Sequence, residues 1–252
     1  MKTLFIGQNA IYVNSLASTN SYASELLSHL FIPDGSIIYT FNQEKGRGQR
    51  GNSWECEPNM NITLSLVLYP KFLNIKQQFL LTKMVSLAVA DLMAEYLNKT
   101  EHSTNLFIKW PNDIYINNKK VAGILIENNV RENSIQSAII GIGININQLL
   151  FKTPDAISLA FITKKQYDLM NCIERLCGYI EARYLQLKAS ANTNMDADYL
   201  HYLYQFNEWA TYKDNKEIFE GKIIDVSATG KLQVQRKSEK ISEFDFKEIA
   251  FL

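Results

Sequence analysis

The stretch from Phe107 to Glu127 limits the possible folds more than any other part of the chain. Both of its ends are apolar and β-branched, which favours strands. Pro111, Asn112 and Asp113 interrupt the first run, as turn residues do. Ile114 and Ile116 then alternate around Tyr115, the mark of a half-buried strand. Asn117 and Asn118 suit a tight hairpin turn, because asparagine tolerates positive φ. After Lys119 and Lys120, the run from Val121 to Ile126 is too apolar to be an edge strand.

Strict strand alternation puts Lys120 on the face of Ala122, Ile124 and Ile126, and Lys119 with Val121, Gly123 and Leu125. One lysine therefore points the same way as the sheet interior. A cation there is costly unless an anion meets it. Asp113, Glu127 or a ligand can supply that anion; otherwise the lysine snorkels out of the hairpin end.

With 252 residues the chain suits one domain of fair size, or one larger and one small. Lys plus Arg (26) equals Asp plus Glu (26), so no global charge favours nucleic acid or an anionic membrane. The N-terminal residues Met1 to Gly7 lack the long apolar core of a signal peptide, and no run is long enough to span a bilayer. Cys56, Cys172 and Cys177 show no paired spacing, which fits free thiols in a reducing cytosol. The histidines lack metal-ligand spacing, so a metal held only by protein side chains is not expected.

A short strand is predicted at Ile11 to Val13. Ser18, Thr19 and Asn20 then precede a helical pattern to about Leu30, with Asn20 or Ser21 as cap. Amides at a helix start bind polar or anionic groups, although capping alone also explains these residues. The segment from Asn42 to Trp54 contains GxGxxG at Gly46, Gly48 and Gly51. No helix start follows it, so it is not a dinucleotide fingerprint, and no kinase or Walker A pattern accompanies it. Bare backbone amides beside Lys45, Arg47 and Arg50 can clamp a phosphate or carboxylate; a mobile surface loop is the alternative.

Asn61 to Tyr69 alternates cleanly, and Gln77 to Leu97 reads as a helix deep against a sheet. In the strand from Ile135 to Asn147, Ile140, Ile142, Ile144 and Ile146 share one face. Gly141, Gly143, Asn145 and Asn147 share the other. Glycine weakens a strand unless something must approach the backbone. Two glycines followed by two amides suit either a flat ligand, such as adenine read by asparagine, or a closely packed helix. Thr163 to Gln166 has a capping-box pattern before a long amphipathic helix, and a second helical segment runs from about Asp196 to Trp209. Beyond Thr211, short strands and turns suggest a small appended barrel.

Five segments in order, Ser18 to Asn20, Gly46 to Gly48, Lys109 to Asp113, Lys120 to Ile124 and Gly141 to Asn145, resemble the biotin–protein ligases. Each is weak alone; the ordered set is specific and spans Ser18 to Asn147. The resemblance implies an α+β fold: a mixed or antiparallel sheet packed with helices, like a class II synthetase, plus a C-terminal SH3-like β-barrel. The expected domains are residues 1–208 and 209–252. It also implies two reactions. Biotin is activated by ATP, with Mg²⁺, to biotinyl-5′-adenylate, and a lysine of a biotin carboxyl carrier protein then takes the biotinyl group.

Carried over by position, Lys120, Arg47 and Asp113 are the catalytic set. Ser18, Thr19 and Gln43 would bond the ureido ring, Trp54 would stack on adenine and Asn145 would read its edge. Asn20, Gly46, Gly48, Gln49, Arg50, Lys109, Asn112, Gly123, Gly141 and Gly143 complete the expected binding surface. Many relatives carry arginine at the position of Gln49, where it helps retain the adenylate, so this chain is expected to hold it differently. Only 17 residues precede Ser18, too few for a helix-turn-helix module, so no operator binding is expected. The family often dimerises through sheet edges. Two other readings stand beside this one: a lipoate–protein ligase or related acyl transferase of the same fold, and a non-catalytic nucleotide-binding module.

Overall fold

Alternating and wholly apolar strands build a seven-stranded sheet in the computed structural model, which describes residues 1–97, 105–189 and 192–252. The N-terminal elements are β1 (Ala10–Tyr12), α1 (Thr19–His29), β2 (Ile37–Thr40), β3 (Gly46–Arg47), β4 (Ser53–Trp54) and β5 (Ile62–Leu68). Next come α2 (Phe79–Leu97), β6 (Leu106–Lys109), β7 (Asp113–Ile116), β8 (Lys119–Arg131) and β9 (Ser134–Ile144). The helices α3 (Leu159–Thr163), α4 (Leu169–Lys188) and α5 (Asn192–Tyr202) follow. Five strands end the chain: β10 (Trp209–Asp214), β11 (Ile218–Val226), β12 (Leu232–Arg236), β13 (Ile241–Phe244) and β14 (Ile249–Phe251).

The large sheet has the order β1-β2-β5-β9-β8-β7-β6, parallel only between β1 and β2. Asn117 and Asn118 form the β7–β8 turn with φ of 51° and 61°. β8 is interior, as its apolar run requires. The Ile140, Ile142 and Ile144 face packs in the main core with Leu64, Leu66, α2 and α4. Burying each such side chain contributes about 1.5–3 kcal/mol. On the opposite face α1 covers only one end, where Ala23 meets Ile38, Val67 and Ile139. The glycine end of that face is left for the site.

One register feature overturns strict alternation. Tyr115 pairs with Lys120, but Ile114 pairs with Ala122, so Val121 is an extra residue in β8. Such a bulge turns the strand's side chains over. Lys120 consequently shares a face with Gly123, where an added Cβ would lie 3.2 Å from its Cε, and not with buried Ala122 and Ile124. Its backbone is tied too: Lys120 N–H donates to Asp155 O at 2.7 Å, and Ile157 N–H donates to Lys120 O at 2.9 Å.

Three helix boundaries differ from expectation. Ser18 caps α1 by accepting from Ser21 N–H, because it, not Asn20 or Ser21, keeps extended backbone. Asp168 caps α4; Thr163 ends α3, and Lys164 is left-handed at φ 56°, so no capping box forms there. The last helix stops at Tyr202 because Gln205 and Asn207 take left-handed turns, and β10 starts at Trp209.

The terminal strands form a five-stranded antiparallel sheet of SH3-like kind around Tyr212, Ile223, Leu232 and Val234. It docks beside the β6–β7 turn: Trp110 Nε1 donates to Gly230 O at 2.9 Å. Gly230, at φ 94°, lies so close to Phe79 that a Cβ would come within 2.5 Å of the ring. None of the described helices is long and apolar enough to cross a membrane.

Candidate active site

Two hollows lie side by side on the glycine face. Ser53, Trp54, Asp113 and Lys120 line both. The first is otherwise walled by the start of α1, by Gln43, by the β3–β4 hairpin and by Gly123, Gly141 and Gly143. The second is walled by Glu55, Tyr115, Asn145, Phe151 and the segment from Thr153 to Ala156.

The start of α1 is fastened to the loop before β3. Thr19 N–H donates to Gln43 Oε1 at 2.9 Å, while Glu44 and Lys45 N–H pair with Leu16 and Ala17 carbonyls. Gln43 thus keeps its amide NH₂ available as a donor. Ser18, Thr19 and Asn20 are 6%, 4% and 3% exposed, so the first turn is a desolvated wall with the positive end of a helix dipole.

The β3–β4 hairpin pairs Gly46 with Trp54 and Arg47 with Ser53. Gly46 admits Trp54 O closer than any Cβ would allow. Gly48 and Gln49 lead into a short turn closed by left-handed Gly51 (φ 87°). Arg47 pairs with Glu127 at 3.1 Å. Glu127 also accepts from Asn20 Nδ2 at 2.7 Å, and Asn20 Oδ1 accepts from Ser65 Oγ at 2.6 Å.

Of the two carboxylates that could meet Lys120, it is Asp113 that does so, with 2.7 Å between Nζ and Oδ1. The Lys120 amine also lies 5.6 Å from the Trp54 ring centroid, a cation–π contact. The glycine face is not bare. Asn20 lies over Gly141, and a Cβ on Gly143 would come within 2.5 Å of Trp54 Cε2. The small residues therefore seat two of the protein's own side chains, as well as flooring the hollow. Asn145 is 3% exposed; its Nδ2 donates to Ile157 O at 3.2 Å, and its Oδ1 has no partner. Trp54 Nε1 is likewise buried without a partner. Both residues line the second hollow, and these two atoms are unsatisfied polar groups in its wall.

Two expected residues sit differently. Asn112 lines the first hollow, but its amide nitrogen is committed to Ile124 O. Lys109 lines neither: its amine sits among the rings of Tyr115, Tyr204 and Phe251, 4.9, 5.8 and 5.1 Å from their centroids. Burial lowers the Lys109 pKa, and burial pushes Tyr115 up to about 12. The side chain of Arg50 lies outside the described residues. Phe246, Phe151, Glu55 and Asp155 were not expected from sequence. Phe246 reaches the first hollow from the distant barrel, with its ring 6.3 Å from that of Trp110.

Residues 12–145 match the biotin/lipoate A/B protein ligase family, more than half of the chain. This chain is a member of that family. Among curated members, the bifunctional ligase/repressor BirA of Bacillus subtilis is 34% identical over 190 residues, 73% of this chain and 56% of that protein. The biotin–acetyl-CoA-carboxylase ligase of Mycobacterium tuberculosis is 30% identical over 188 residues, 73% of this chain and 68% of that protein. The chain thus spans little more than half the length of the Bacillus relative. Among solved family structures, the biotin protein ligase of Aquifex aeolicus in complex with biotin and ATP aligns with a TM-score of 0.77 at 24% identity. It covers 97% of this chain and 99% of the other, which shows a shared fold from end to end. Arg50 aside, all the expected site residues but Gly46 and Lys109 line at least one of the two hollows.

Proposed function

We propose that this protein is an ATP-dependent biotin–protein ligase. The observation that carries the reading is the position of Lys120 on the common wall of two hollows, one suited to a small polar ring with an apolar body and one to a nucleoside. The family membership and the named activities of the relatives support it.

In this reading biotin lies in the first hollow, its ureido ring bonded by Ser18, Thr19 and Gln43. ATP places its base in the second, between Trp54 and Asn145. The biotin carboxylate and the α-phosphate then meet beside Lys120. Two anions repel; a fixed ammonium, with Arg47 nearby, offsets that repulsion and stabilises charge as it builds. A carboxylate oxygen attacks the α-phosphorus, the bond to the β-phosphate oxygen breaks, and pyrophosphate leaves. The amine of a carrier lysine next attacks the acyl carbon, AMP departs and an amide remains. Asp113 orients Lys120 and the incoming amine. Mg²⁺ arrives on the nucleotide, held mainly by phosphate oxygens and water. The acceptor is the carrier domain of a biotin-dependent carboxylase, and the reaction belongs in the cytoplasm.

The test mixes protein, ATP, Mg²⁺, biotin and a biotin carboxyl carrier domain and weighs the carrier. One added biotinyl group is expected. An unmodified carrier together with lipoyl transfer under the same conditions would move the protein to the lipoate branch. Absence of biotin-dependent exchange between ATP and pyrophosphate would remove adenylation altogether.

A further inference from the structure

Directly after Trp54, the carboxylate of Glu55 collects four donors from a segment nearly a hundred residues away. Lys152 N–H lies 2.9 and 3.1 Å from its two oxygens, Thr153 N–H and Thr153 Oγ1 each lie 3.1 Å from Oε2, and Gln148 Nε2 lies 3.4 Å from Oε1. Burial alone would raise the pKa of Glu55, but the Lys152 and Thr153 donors outweigh it and hold the group below its usual value. Hydrogen bonds to an ionised acceptor are about twice as strong as neutral ones. Gln148 adds a second stitch: its Oε1 accepts from Glu57 N–H at 3.0 Å and from Asn61 Nδ2 at 2.5 Å.

The segment so held has its other end fixed as well. Ala156 N–H bonds back to Thr153 O, and Asp155 and Ile157 flank the backbone of Lys120. One short piece of chain therefore runs from the carboxylate beside Trp54 to the catalytic lysine, with Phe151 just before it, along the wall of the second hollow.

We infer that Glu55 is a positioning residue for the nucleotide: its carboxylate brackets the Lys152–Thr153 turn to the end of β4 and sets the separation between Trp54 and the facing wall. This rests on the reading of the second hollow as the nucleoside compartment. A wall ordered in advance spares the nucleotide the cost of ordering it on binding. Biotin, which sits on the other side of Trp54 and Lys120, gains nothing from the bracket.

The test compares Glu55→Ala, Glu55→Gln and the control Glu57→Ala in the full chain. Amide hydrogen exchange at Lys152 and Thr153, measured without nucleotide, reads the bracket directly. KM for ATP and for biotin in the exchange reaction reads its use. Glu55→Ala is expected to accelerate exchange at both amides and raise KM for ATP about tenfold, one contact's worth of affinity. KM for biotin is expected to stay near wild type, while the melting temperature falls modestly as the four donors lose their acceptor. Glu55→Gln, which keeps one acceptor oxygen, should fall between the two, and Glu57→Ala should match wild type. Unchanged amide exchange overturns the bracket whatever the kinetics. Faster exchange with unchanged KM for ATP, or equal losses toward ATP and biotin, overturns the positioning role. If wild-type protein shows no pyrophosphate exchange, the ligase reading fails separately. ATP affinity measured by direct titration then judges Glu55 on the same criterion.

Discussion

The Asp113 carboxylate stands 2.7 Å from the Lys120 amine on a neighbouring strand, and the two side chains are 27% and 31% exposed. The pair is set by the β7–β8 hairpin, not by flexible loops, so the ammonium has a defined direction before any anion approaches. Removing the carboxylate should leave the charge and lose the aim. Asp113→Asn is expected to cut turnover by about 10²-fold, the scale of a small misplacement of a reacting group, with little change in KM for biotin. Single-turnover adenylation checks this; an unaltered rate would leave Asp113 without an orienting role.

Lys120→Ala removes the fixed ammonium itself. Adenylation should slow by about 10²–10³-fold, the cost of losing a preorganised electrostatic group. Pyrophosphate exchange measures it, and near wild-type exchange would take Lys120 out of the chemistry.

Gln49 lies on the wall of the first hollow in the turn after Gly48, where it brings no charge. Gln49→Arg places a guanidinium there and should slow escape of the adenylate. A chase of preformed intermediate with unlabelled biotin reads the rate directly; identical escape from both proteins would show that retention depends on other groups.

Gly143→Ala puts a methyl group within 2.5 Å of Trp54 Cε2. Either the indole leaves its seat or the strand shifts, at about 1–3 kcal/mol for such overpacking. The expected readouts are a lower urea midpoint, altered tryptophan emission and weaker ATP binding. A protein with wild-type ATP affinity and emission would mean that the indole does not depend on this glycine.

Far from the site, Glu181 accepts backbone N–H bonds from Leu4, Phe5 and Ile6 at 2.7, 2.8 and 3.1 Å. Burial would raise its pKa, but these three amides outweigh burial and lower it. A carboxylate depressed on folding contributes stability that is fully present above its unfolded value, about 4.3, and lost as pH falls through the lower folded value. Glu181→Gln should cost about 1–3 kcal/mol at neutral pH, and the difference from wild type should shrink below pH ~4. Paired urea titrations at pH 7 and under acid conditions test the sign.

The parts of this molecule that were legible in the chain share a local cause. The isoleucine row of β9 reports a strand with one buried face, and the paired asparagines at 117 and 118 report a two-residue turn. Both depend on neighbours a few positions away. The parts that were hidden depend on distant chain. Phe246 reaches the first hollow from the barrel, and Glu55 finds its partners only because residues 148–153 fold against it. Lys109 belongs to a motif yet faces an aromatic cage completed by Phe251. The direction of Lys120 was hidden for a different reason: hydrophobic period alone does not reveal an inserted residue.

That insertion carries a warning for anyone who shortens or redesigns the hairpin. Deleting Val121 would restore a regular ladder by every local criterion. It would leave Lys120 opposite Tyr115 on the site face, but it would take away a fully buried side chain and the carbonyl to which Asn145 N–H donates at 2.8 Å. The loss falls on the wall of the second hollow at Asn145, while the amine keeps its direction: the residue that looks superfluous in the ladder is the one that ties two strands together beneath that wall.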